Sequence, residues 1–174
     1  MKYQKITTKD FILRPFKKGD EFSLAENIND IKVIRNTLMS IFPYTLKHAK
    51  DWVKKNLKED KKKKPEMINF VIDINEEVAG SVWFTTIEGY MAEIDYWLTR
   101  KYWNKGIMTK AIKLVTKFGF EKLKFKRIYG YVFPFNKPSM KVLKKAGYKF
   151  EGILRKNTKK GKRFIDDYLF AKVR

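Results

Sequence analysis

The stretch from Glu93 to Ala111 constrains the fold most, because it reads as three pieces in a set order. Glu93–Leu98 is short, aromatic and aliphatic, which suits a strand. Thr99–Met108 is polar and basic with one glycine, Gly106, which suits a turn. Thr109 opens a run with helical spacing, in which Ala111, Leu114, Val115 and Phe118 stand at i, i+3, i+4 and i+7. A strand, a basic glycine turn and a helix together make an anion site. The first amides of a helix lack intrahelical partners, and the macrodipole makes that end positive. Glycine lets a ligand approach the backbone closely. Arg100, Lys101 and Lys105 add full charges. The turn reads either as a phosphate or pyrophosphate cradle or as an ordinary connection with solvated lysines, and the segment alone leaves both open.

The rest of the chain narrows the class. Its 174 residues suffice for one domain with a real core, taken as residues 1–174. There is no cysteine, which excludes disulfides, thiolate metal sites and a cysteine nucleophile. One histidine, His48, argues against a histidine metal site, and no metal is expected. The segment Met1–Thr7 has no apolar signal core, and no run reaches the length of a membrane span. The expectation is a cytoplasmic protein with no membrane partner. Net charge is +21 and unevenly placed. Residues 1–90 carry 17 Lys+Arg against 13 Asp+Glu, a balance of +4, whereas residues 91–174 carry 23 against 6, a balance of +17. A field of that sign concentrates anions such as a polyphosphate cofactor or RNA, or it reflects a lysine-biased composition without a partner.

In chain order, Phe11–Pro15 reads as a first strand, and Gly19-Asp20 starts a short helix through Phe22, Ala25 and Ile28. Residues 30–44 show no clean period, although Ile31, Val33, Ile34, Leu38, Ile41 and Phe42 are apolar. Thr45 is an N-cap for a helix with Ala49, Trp52, Val53 and Leu57, and His48 reads as a surface or packing residue of it. Lys61–Lys64 before Pro65 reads as a solvated loop. Residues 70–74, 78–84 and 92–98 form an antiparallel meander, with Asn75-Glu76-Glu77 and Glu88-Gly89 as turns. The helix from Thr109 to about Leu123 leads to a strand at 127–132 and a turn at Phe133–Pro138. A helix follows through Met140, Leu143 and Ala146, stopped by Gly147 as a left-handed cap. Lys149–Arg155 and Phe164–Val173 are the last strands, joined by a basic turn over Asn157–Lys162.

This order resembles the GNAT acetyltransferases, and within them the RimJ/RimL-type group, whose founding members acetylate N-terminal amines of ribosomal proteins. The matching text is Ala92–Leu98, Tyr102–Ala111, Val132–Ser139 and Ala146–Gly152, so the likeness is sharpest over 92–155. It implies an α+β fold, a twisted mixed and mostly antiparallel sheet of about seven strands with four helices. Strands 92–98 and 128–132 would run parallel and splay apart, with acetyl-CoA in the V between them as acetyl donor. The backbone of Leu98 and Arg100 would meet the pantetheine arm, the amides of Lys105, Gly106, Ile107, Met108 and Thr109 would hold the pyrophosphate, and Asn136 and Ser139 would lie on the far arm. The family's turn is often Gln/Arg-x-x-Gly-x-Gly/Ala. Here Gly106 matches, Trp103 stands in the first position as is common in this subgroup, and Met108 replaces a small residue. Many relatives place a tyrosine proton donor seven residues after the asparagine, where this chain has Leu143, which leaves Ser139 as the side-chain acid.

The reaction implied is direct transfer of acetyl from CoA sulfur to a primary amine. Glu93 is the leading general base, directly or through water, because strand alternation aims it at the cleft; Asp95 has the same parity and is the alternative. The acceptor expected is a protein N-terminal amine, with the basic surface near ribosomal RNA. A small amine or polyamine is the alternative, and so is a non-catalytic RNA- or ribosome-binding module on the same fold. Monomer and homodimer both stay open.

Overall fold

The structure, a computed structural model, describes residues 5–37 and 41–174. Leu38, one of the apolar residues of the unassigned segment, and Met1–Gln4 lie outside the described residues. The elements run β1 (Ile6–Thr7), β2 (Ile12–Arg14), α1 (Asp20–Ile28), α2 (Ile31–Ile34), α3 (Leu46–Glu59), β3 (Ile68–Ile74), β4 (Glu77–Glu88) and β5 (Met91–Leu98). A 3-10 turn (Arg100–Tyr102) follows, then α4 (Ile107–Glu121), β6 (Arg127–Val132), α5 (Lys137–Lys145), β7 (Lys149–Lys160) and β8 (Arg163–Val173). The architecture is α+β, as the resemblance implies. Among the described residues there are eight strands and five α-helices rather than about seven and four. The additions are β1, of two residues, and α2, of four. Both are too short to show a hydrophobic period.

One sheet carries every strand, in the order β1-β2-β3-β4-β5-β6-β8-β7. The β3–β4–β5 meander is antiparallel, and its first turn places Asn75 and Glu76 at φ of 55° and 66°, the left-handed pair that closes a two-residue hairpin. Alternation along the strands feeds two cores. Phe70, Ile72, Phe84 and Ile94 pack on the side of α4, with Ala111, Ile112 and Val115. Val71, Val78 and Trp97 pack on the side of α1–α3, with Leu24, Ile28, Ala49 and Val53. Buried Arg14 ties β2 to α1 and β3: it grips Asp20 with both terminal nitrogens, each at 2.8 Å, and Asp73 through Nε at 2.6 Å. These carboxylates supply the partners that a buried guanidinium needs.

β5 and β6 form the parallel pair, and their pairing is short. It joins Met91, Ala92 and Glu93 to Arg127, Ile128 and Tyr129 and then stops, although β5 continues to Leu98 and β6 to Val132. The crotch of this fork is tight. A Cβ on Gly130 would lie 2.9 Å from the Ile94 carbonyl oxygen, so a side chain there would wedge the strands before they separate.

Three boundaries differ from the sequence expectation. α4 begins at Ile107 rather than Thr109, because Ile107 and Met108 turn their side chains into the core and extend its apolar face. β7 runs through the segment expected to be a turn. The register steps from Leu154–Asp167 to Thr158–Ile165, so Arg155–Asn157 bulge from the ladder, with Lys156 at φ 52°. The turn signal at Asn157 therefore marks a bulge, and the hairpin closes at Gly161-Lys162. α5 begins at Lys137, so Pro138, expected to end the preceding turn, occupies its second position. Gly147 is the expected left-handed cap, at φ 90°, with Tyr148 N–H donating to Leu143 O and Gly147 N–H to Lys144 O, both at 3.0 Å. His48 accepts from Thr45 N–H at 3.1 Å and so serves the start of α3. Lys62 in the lysine run pairs with Glu59 and Glu66.

Candidate active site

The fork between β5 and β6 opens into a cavity of about 870 Å³. Its first wall is Leu98 and the turn into α4. Gly106 sits at φ 75° as the N-cap of α4, and the first intrahelical bond runs from Lys110 N–H to Gly106 O at 3.0 Å. The amides of Ile107, Met108 and Thr109 precede that bond and point out of the helix start, beside the cavity their residues line. No atom lies within 4 Å of where a Gly106 Cβ would stand, so the space above the turn is open. An open cradle of amides at the positive end of a 15-residue helix fits a phosphate chain. Trp103 braces this wall, its Nε1 donating to the Leu98 carbonyl at 2.7 Å.

Of the expected cofactor residues, Leu98, Gly106, Ile107, Met108, Thr109 and Asn136 share the cavity wall. Arg100 and Lys105 do not. Arg100 Nε pairs with Asp30 at 2.8 Å, and Lys105 Nζ lies over the Tyr102 ring at 5.4 Å.

The second wall is the start of α5. Asn136 caps that helix by accepting from Ser139 N–H at 3.2 Å. The cap holds the Ser139 hydroxyl towards β5, where it meets Tyr96 Oη at 2.6 Å. Tyr96 is half-buried, and desolvation of its hydroxyl raises it above the usual tyrosine range. Leu143, at the position where relatives carry a tyrosine, is 1% exposed and packs into the core, so no acid stands there.

The floor is acidic. Glu93 sits where β5–β6 pairing ends. Opposite it β4 bulges between Thr85 and Glu88, with Thr86 at φ 46°, and this turns the Thr86 hydroxyl to within 3.3 Å of Glu93. Burial, then the charge of Asp95, pushes Glu93 up to about 7; Asp167 adds to the shift and the Thr86 hydroxyl opposes it. Asp95 is pushed up to about 6 by burial, against the hydrogen bond from Thr85 Oγ1 at 3.0 Å. The β5 alternation thus delivers both carboxylates to one face, as the parity of the sequence indicated. Tyr96, Asp167, Thr86 and Tyr131 also line the cavity. The motifs do not single them out, since none lies in a matching block except Tyr96, whose role depends on Ser139 across the fork.

A mixed sheet with a short parallel fork, an amide cradle at one arm and buried carboxylates below define an acyl-CoA-dependent transferase. Residues 10–149 match the family model described as the acetyltransferase (GNAT) domain, and the chain belongs to that family. It is 30% identical over 167 residues to an uncharacterized N-acetyltransferase, p20, of Bacillus licheniformis, covering 94% of this chain and 93% of that one. The crystal structure of a GNAT-family acetyltransferase from Bacillus anthracis superposes with a TM-score of 0.85 at 26% identity, over 98% of both chains. The structure of RimL, a ribosomal-protein α-N-acetyltransferase in complex with coenzyme A, superposes with a TM-score of 0.85 at 16% identity, again over 98% of both chains. The protein is an acetyl-CoA-dependent acyltransferase. Among the described residues no helix is long and apolar enough to cross a membrane.

Proposed function

We propose that this enzyme moves the acetyl group of acetyl-CoA to a primary amine, with Glu93 as general base. The observation that carries the reading is the place of Glu93: a half-buried carboxyl raised towards neutrality, where the strands part. An acceptor arrives as an ammonium and loses one proton to Glu93. Its freed lone pair then attacks the thioester carbonyl carbon. The C–N bond forms, the C–S bond breaks, and the second nitrogen proton ends on sulfur. Ser139, hydrogen-bonded to Tyr96, relays that proton: its hydroxyl protonates the leaving sulfur and takes up in exchange the proton that the nitrogen sheds. Leu98 and the amides of Gly106–Thr109 bind the donor, and Asn136 holds Ser139 in place.

For the acceptor, a protein N-terminal amine is supported by the fold shared with RimL, and the +17 balance of residues 91–174 supports docking near RNA. A small amine is supported by the acidic floor, a feature of this chain's own residues. The test is thiol release from acetyl-CoA with a panel of peptides bearing free N-termini and of small alkylamines, followed by mass analysis of the products. Acetylated product that depends on Glu93 is expected. Product formation equally fast in Glu93→Gln would remove Glu93 from the mechanism.

A further inference from the structure

In a chain of net charge +21, residues 91–174 contain six carboxylates, and three of them, Glu93, Asp95 and Asp167, line one cavity. The other three are engaged elsewhere. Glu151 pairs with Arg127, Glu121 lies 4.0 Å from Lys117, and Asp166 accepts from Lys156 N–H. No Lys or Arg among the described residues lies within 4.0 Å of Glu93, Asp95 or Asp167. In a protein so rich in lysine, a carboxylate group without a cation is open to a cation from outside.

Asp167 supplies the independent observation. It is 1% exposed, on β8, and the bulge in β7 brings Asn157 Nδ2 to 2.9 Å and Thr158 Oγ1 to 2.5 Å of its Oδ2. Those two donors fix the carboxyl and leave Oδ1 buried without a partner among the described residues. A buried carboxylate oxygen with no donor costs free energy until a ligand supplies one. The strands β5 and β8 flank β6, so Asp167 and Glu93 reach the cavity from opposite sides of β6. Thr85 holds Asp95 further along β5. Trp83, Tyr131 and Phe133 line the same cavity and suit methylene groups; the Phe133 ring already carries Lys160 Nζ at 5.3 Å. A peptide would bring backbone amides that such faces leave without partners.

Given the transfer reading above, we propose that the acceptor is a small amine carrying a second positive charge a few carbons from the reacting nitrogen. Glu93 serves the reacting nitrogen, while Asp167, with Asp95, binds the second charge. The three carboxylates offset the repulsion that the basic exterior imposes on such a molecule.

The test compares kcat/KM for 1,5-diaminopentane, 1-aminopentane and a short peptide with a free N-terminus, at saturating acetyl-CoA. After halving for its two equivalent nitrogens, the diamine is expected to exceed the monoamine by about tenfold or more, the size of a charge-assisted hydrogen bond. Asp167→Asn should bring that ratio close to one, and Asp95→Asn should lower it. The ratio is taken within each variant, so loss of folded protein cancels. A ratio near one in the parent, a ratio untouched by both substitutions, or a peptide turned over faster than the diamine overturns the proposal. In those cases acetyl transfer to amines still stands. Absence of thiol release with all three acceptors removes the transfer reading and this one together.

Discussion

Tyr96 Oη and Ser139 Oγ lie 2.6 Å apart, one on each arm of the fork, and join β5 to the start of α5 beyond the last β5–β6 pair. The contact bridges the cavity mouth between β5 and α5. It also explains how a serine on a short helix can act in a site that lacks the usual tyrosine. Burial keeps Tyr96 protonated, so it can donate to Ser139 and orient the serine proton outward.

Ser139→Ala is accordingly expected to lower kcat at saturating substrates by roughly tenfold to a hundredfold, the lower range for a positioned acid. Tyr96→Phe should act in the same direction, and the double variant should be no worse than the worse single one. Stopped-time thiol assays measure this. Full additivity would mean that the two hydroxyls act independently.

Gly106 offers a separation of binding from folding. Its φ of 75° is a conformation that Asn and Asp tolerate better than other side chains, and nothing crowds its Cβ. An aspartate there also favours the positive end of α4. Gly106→Asp should therefore keep the fold and weaken acetyl-CoA binding by more than about tenfold through repulsion of the phosphates. Calorimetric titration of the donor reports it. Unchanged affinity would move the phosphates away from this turn.

With Glu93 as the proposed base, the rate is expected to depend on pH. The base must be ionised, so kcat/KM should rise as pH passes through about 7 and level off above it. Asp95 and Asp167 face Glu93 and hold that limb high, while Thr86 opposes them; Tyr129 and Tyr131, also nearby, stay neutral in this range. Glu93→Gln should abolish the limb and cost roughly a hundredfold or more. A limb that persists in this variant would assign it to Asp95 or to the amine.

The same carboxyls burden the fold. Glu93 rises from 4.5 to about 7 and Asp95 from 3.8 to about 6, so the native state binds the extra protons. Their contribution is intact below about pH 4 and is lost as pH climbs towards 7. Asp95→Asn and Glu93→Gln should thus raise the melting temperature at pH 8 relative to the parent, with the gain shrinking below pH 5. Scanning fluorimetry across pH decides it, and a uniform loss at every pH would show that the carboxylates are paired after all.

Much of this fold is legible in the chain because its signals are local. The αL residues Asn75 and Glu76, the Gly147 stop, the Gly106 turn and the Asn136 cap each act within a few residues, where backbone sterics and one hydrogen bond decide the conformation. The parity that sends Glu93 and Asp95 to one face follows from the period of a strand. The cavity below them does not. Asp167 reaches it because β8 lies beside β6, far from β5 in sequence, and because the β7 bulge turns Asn157 and Thr158 onto its carboxyl. That bulge looks like a turn in the sequence, since Lys156 and Asn157 carry the same backbone preference in both. The register of a long hairpin is chosen by side-chain packing across the sheet, which no local pattern contains. The glycine turn was thus written in the residues around Gly106, whereas the cavity that Asp167 shares with Glu93 came into being only when the sheet closed around β6.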